Sequence, residues 1–165
     1  MKNGSKVLRI LCIDDKPSEL DRARKEVEAA GHKFVGIHAG TKWLSEFLPE
    51  IRTADAIITD LHFRPYPEAH DEGDDVLLSG LLVVIHALGL GKPVAVCTEM
   101  DTDYGTGHHG KTYSWIHDAY LEGDDECIGP TEDIGGERKY LILIGHKDWK
   151  RAVWRIIRTE KKKAL

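Results

Sequence analysis

The chain has few cysteines, no long apolar run and no surplus of positive charge. Its three cysteines, Cys12, Cys97 and Cys127, form no CxxC pair. An odd number without CxxC spacing gives no sign of a disulfide framework, and the two that lie inside candidate strands suit reduced, buried thiols in a cytosolic protein. No apolar stretch approaches the roughly 20 residues of a membrane span, and the N-terminus carries no apolar signal segment. The formal net charge is −5, which gives no general case for nucleic-acid binding. There is no internal repeat and no low-complexity linker, so 165 residues read as a single domain, 1–165, long enough to bury a core.

What is present are short apolar runs that stop on polar groups. Asp55–Asp60 (DAIITD) is β-branched and apolar, which predicts a strand buried on both faces, and it ends on Asp60. Val7–Ile13 predicts another such strand, followed by Asp14 and Asp15. Lys33–Ala39, Pro93–Thr98 and Tyr140–Ile144 complete a set of five. Between them lie helical periodicities. Leu20, Ala23, Val27 and Ala30 follow a start at Lys16-Pro17-Ser18, and Leu44, Phe47, Leu48 and Ile51 follow a Thr41 cap. Leu81–Leu88 is apolar almost all round and predicts a buried helix, with His86 hydrogen-bonded in the core. Thr112 is a candidate cap for a helix carrying Trp115 and Ile116. A last helix, capped by Asp148, turns Trp149, Val153, Ile156 and Ile157 inward and ends in basic residues that suit the helix dipole. Leu61–Gly80 predicts an exposed loop, and Gly123–Arg138 has no assignable pattern. Strands alternating with helices predict an α/β domain: a doubly wound parallel sheet covered on both faces.

In such sheets, residues just past the carboxyl ends of the strands line the ligand crevice. Asp14, Asp15 and Asp60 fall there, with the Thr98 hydroxyl and, beyond the fifth strand, Lys147. Three crowded carboxylates repel one another, and protonation or a cation relieves the repulsion. Oxygen ligands with room for water and phosphate fit Mg2+. Acids, metal, hydroxyl and ammonium together form a phosphoryl-transfer set in which one Asp is the nucleophile. The bland alternatives are solvated acids at helix caps, a strand-end Thr bonded to backbone and a solvated Lys before a cap.

The pieces CIDD (Asp14, Asp15), ITDL (Asp60), VAVCT (Thr98) and a Lys after the fifth strand (Lys147) resemble a response-regulator receiver domain over nearly the whole chain. The resemblance implies a flavodoxin-like five-stranded sheet of order 2-1-3-4-5 with an insertion between strands 4 and 5. It implies Asp60 as phospho-acceptor, aided by Thr98 and Lys147, and Mg2+ held by Asp14, Asp15, Asp60 and the backbone carbonyl of His62. It also implies a cytoplasmic module of a two-component phosphorelay. That module would be stand-alone, monomeric or weakly dimeric, and would be served by a histidine-kinase-type phosphodonor and a downstream protein. Four departures accompany it. The loop after Asp60 is long, with Pro65 one place late. An insertion spans 99–139. Asp148 replaces the Pro that usually follows the Lys, and Ile144 occupies the usual aromatic switch position unless Tyr140 stands in. These departures leave a second reading, a pseudo-receiver that binds partners without phosphorylation. A third is a small Mg2+-dependent phosphohydrolase with His108 or His109 as acid–base group. His108, His109 and His117 lack zinc-site spacing and read as loop residues.

Overall fold

The computed structural model describes residues 6–41, 43–61, 63, 79–98, 127–128, 133–134, 137–138, 141–144 and 147–163. His62, the loop histidines and the Thr112 helix lie outside them. Strand β1 (Arg9–Asp14) leads into α1 (Pro17–Ala29), β2 (Lys33–His38), α2 (Leu48–Thr53), β3 (Ala56–Thr59), α3 (Ser79–Gly89) and β4 (Val94–Cys97). Four short strands follow: β5 (Cys127–Ile128), β6 (Asp133–Ile134), β7 (Glu137–Arg138) and β8 (Leu141–Ile144). The described chain closes with helix α4 (Trp149–Lys163).

The main sheet runs β2-β1-β3-β4-β8-β5. Its first four strands take the expected order and pair in parallel. Leu141–Ile144 pairs parallel to β4, and the unexpected β5 adds an antiparallel edge. Antiparallel edges on otherwise parallel sheets are common, because a short returning segment needs no crossover. The β6–β7 pair lies in a separate antiparallel ribbon, with Gly135-Gly136 between its strands in sequence.

Alternating strand residues divide the core into two layers. Leu11, Ile13, Ile57, Val94 and Val96 share one cluster with Phe47, Ile51, Val83, Val84 and Ala87, from the α2–α3 side. Ile10, Cys12, Ala56, Ile58, Ala95 and Cys97 share the other with Ala23 and Val27 of α1 and Trp149, Ala152, Val153 and Ile156 of α4. This two-sided cover is why the strand sequences are continuously apolar. Cys12 and Cys97 are buried free thiols, and burial pushes both well above the ordinary thiol range.

Three expectations need correction. The helix expected from Thr41 is two short 3-10 turns, Ala39–Thr41 and Leu44–Phe47, before α2 begins at Leu48. Pro49 accounts for this: it occupies the first turn of α2, and in a longer helix it would remove an interior hydrogen bond. Helix α3 begins at Ser79 and is not buried all round, since Leu82 and Ile85 are 53% and 60% exposed. His86 Nε2 is buried without a hydrogen-bond partner among the described residues. None of the described helices is long and apolar enough to cross a membrane.

Candidate functional site

Each candidate side chain enters the site from the carboxyl end of a strand. Asp14 closes β1, Asp15 follows it, Asp60 follows β3 and Thr98 follows β4. The β1–β3 register pairs Ile13 with Thr59, and the Asp60 N–H donates to the Ile13 carbonyl at 2.8 Å. The ladder therefore runs one residue past β3 and sets Asp60 beside Asp14. On the other side the Lys147 N–H donates to the Thr98 carbonyl at 3.1 Å. Thr98 is buried at this edge and anchors Lys147 through its backbone.

Lys147 adopts φ 45°, the left-handed region, a conformation that costs a non-glycine residue roughly 1–2 kcal/mol. Its ammonium, buried with the rest of the residue at 4% exposure, donates to Asp14 Oδ2 at 2.6 Å and to Asp60 Oδ2 at 2.7 Å. The strained turn thus delivers a cation between two buried carboxylates. The remaining oxygens are also bonded: Asp60 Oδ1 accepts from the Leu61 N–H at 2.7 Å, and Asp14 Oδ1 from the Lys16 N–H at 2.8 Å. Asp148 caps α4 by accepting the Arg151 N–H at 2.9 Å. Next to it, the Trp149 indole N–H donates to Glu19 at 2.9 Å and ties α4 to α1.

The electrostatics follow from burial and this one cation. Burial pushes the Asp14 carboxyl up to about 6, against the pull of Lys147. Burial alone would lower Lys147, but Asp60 and Asp14 outweigh it and hold the ammonium above its ordinary range. Asp14, Asp15 and Asp60 offer ligand oxygens within 4.8 Å of one another. An all-oxygen set of this density matches the donor chemistry of Mg2+. The residues present therefore fit such an ion, which Asp14, Asp15 and Asp60 would hold.

Two site residues have no signal in the sequence. The His38 ring, at the end of β2, donates from Nε2 to the Asp15 carbonyl at 2.8 Å. Gly80, assigned from the sequence to a loop, lies in the first turn of α3 with its N–H on the Leu61 carbonyl at 3.1 Å. A Cβ there would lie 2.0 Å from the Asp60 carbonyl oxygen, so this approach requires glycine. Neither contact has a local pattern, because each joins residues from separate strands and helices.

No protein-family model matches the chain, and no curated protein does. Solved structures do. The chain is similar to the response regulator receiver domain protein of Clostridium thermocellum at 18% identity and TM-score 0.51, over 96% of this chain and 100% of that one. A receiver protein of Sinorhizobium medicae is similar at 13% identity and TM-score 0.54, over 94% and 98% of the two chains. A CheY-like receiver domain protein of Methanospirillum hungatei gives 15%, 0.50, and 96% of each chain. Such identities speak for the fold, and the fold is that of a receiver-like α/β domain.

Proposed function

We propose that the chain is a single receiver-like signalling domain in which Asp60 accepts a phosphoryl group from a histidine-kinase-type donor. The observation that carries this reading is the buried Lys147 ammonium bridging Asp14 and Asp60 beside a third carboxylate, Asp15. An oxygen of Asp60 attacks phosphorus, the bond from phosphorus to the donor nitrogen breaks, and an acyl phosphate forms on Asp60. Bound Mg2+ would neutralise charge on the transferring group. Lys147, already at Asp60 Oδ2, supplies a fixed positive charge, and Thr98 supplies a hydroxyl at the same edge. The reading places the domain in the cytoplasm, with output by contact with a downstream protein.

The test is incubation with acetyl phosphate and Mg2+, followed by intact-mass measurement. The expected result is one added phosphoryl group per chain, absent from Asp60→Asn and absent when EDTA replaces the metal. An unmodified wild-type chain, also silent to beryllofluoride by tryptophan fluorescence, would overturn the phospho-acceptor reading.

A second reading rests on the same bridge. Lys147 satisfies both carboxylates without any metal, as an interaction-only pseudo-receiver would need. Failure of Mg2+ to bind by calorimetry would favour it. The phosphohydrolase reading depends on His108 or His109, outside the described residues, and turnover of a generic phosphoester would be its mark.

A further inference from the structure

We propose that His38 is a positioning residue of this site: its ring clamps the Asp15–Lys16 peptide, freeing Asp14 to share an oxygen with a divalent cation. The inference rests on the metal-holding reading above. Its basis is that one peptide unit is held at both ends. The Asp15 carbonyl accepts from His38 Nε2 at 2.8 Å, and the N–H of the same unit, on Lys16, donates to Asp14 Oδ1 at 2.8 Å. A carbonyl can only accept, so Nε2 carries the hydrogen in either the neutral or the charged ring.

The strand register makes the clamp possible. His38 closes β2 and is the partner of Asp14, which closes β1. The ring therefore stands beside the turn that follows Asp14. The chain beyond His38 is itself held, with the Thr41 hydroxyl on the His38 carbonyl at 2.9 Å.

The consequence for the acids is direct. Asp14 receives a donor on each oxygen, Lys16 N–H on one and Lys147 Nζ on the other. An incoming cation must share one of them. With His38 in place the Asp15–Lys16 peptide keeps its orientation while Oδ1 turns away, and Asp15, whose backbone forms that peptide, keeps its carboxylate at the cluster. Without His38 the peptide leans on Oδ1, so peptide and cation compete for it.

Three variants separate the bond from the bulk. In His38→Gln the amide nitrogen reaches the position of Nε2, in His38→Asn it falls short, and in His38→Phe the shape stays but no donor remains. The expected result for His38→Asn and His38→Phe is faster hydrogen exchange at the Lys16 amide in metal-free protein. Their Mg2+ affinity by calorimetry falls roughly fivefold, as for loss of one net hydrogen bond. His38→Gln keeps wild-type exchange and affinity, and His38→Asn melts no more than about 4 °C below it, as for loss of one hydrogen bond without wider unfolding. Should His38→Phe fail to fold, the Gln and Asn pair decides. Equal Lys16 exchange in wild type and His38→Asn overturns the clamp. Unchanged Mg2+ affinity in His38→Asn overturns its role in cation binding. A wild type that takes up no Mg2+ overturns the metal reading itself, and the Lys16 exchange still decides the clamp.

Discussion

Lys147→Met should lower the melting temperature at pH 8 by about 6–20 °C. Removing one partner of a buried ion pair costs about 3–5 kcal/mol, because it leaves the other charge uncompensated. For a chain of this size each kcal/mol is worth roughly 2–4 °C. Here two carboxylates are stranded, Asp14 at 0% and Asp60 at 4% exposure. The left-handed φ of position 147 persists with Met, so no strain is relieved.

The pH dependence has a definite sign. In the wild type Asp14, pushed up to about 6 by burial, binds its proton more tightly folded than unfolded. Its contribution is full below the unfolded value of about 3.9 and is lost as pH rises through 6. Lys147 is held above its ordinary range, so its contribution is present below about 10.5 and is lost only as pH rises through its folded value. Without the ammonium the carboxyl of Asp14 rises further. The deficit of Lys147→Met should therefore be largest above pH 7 and shrink toward pH 5, where protonation relieves the repulsion. Millimolar Mg2+ should raise the variant's melting temperature more than the wild type's, since the ion replaces the missing cation. Thermal melts from pH 5 to 9 with and without Mg2+ read all of this. A deficit that grows toward acid would refute the account of the bridge.

Gly80→Ala should destabilise the domain by about 3 kcal/mol or more, and it should disturb Asp60. In an unconstrained helix the same change stabilises by up to about 1 kcal/mol, because glycine loses more backbone freedom on folding. Here the added Cβ would meet the Asp60 carbonyl oxygen at 2.0 Å, the Leu61 Cα at 2.7 Å and the Leu61 carbonyl oxygen at 2.8 Å. All three belong to backbone, so no rotamer change relieves the clash. Overpacking of this kind costs typically 1–3 kcal/mol and more when main chain must move. Gly89, at the other end of α3, is the control: nothing lies within 4 Å of its Cβ position, so Gly89→Ala should be neutral or mildly stabilising. Denaturant unfolding gives the energies, and the yield of the Asp60 adduct gives the effect on the site. A Gly80→Ala protein as stable as wild type would sink the close-approach argument.

The strand ends were legible because each is a local event. An apolar β-branched run that stops on Asp14, Asp60 or Thr98 announces both a buried strand and the polar group at its edge. The inward face of α4 was equally open to reading, since Trp149, Val153 and Ile156 keep helical spacing and are all buried. Periodicity misled over Leu44–Ile51, where Phe47 and Ile51 are buried as expected although Pro49 breaks the helix before Leu48. It misled again in α3, where an apolar sequence on every side concealed that Leu82 and Ile85 face outward.

By itself, then, the sequence determined the α/β class and which acids end the strands, because strand and helix patterns are short-range, whereas the strand order came only with the receiver-domain resemblance. Only the tertiary structure decided how the site is held. Lys147 bridges to Asp14 across a separation of 133 residues, His38 meets the turn after β1 across 23, and Gly80 packs on the Asp60 carbonyl from a helix beyond a long loop. Contacts of that kind depend on register and on close approach between separate elements, and neither is written in any local run of residues.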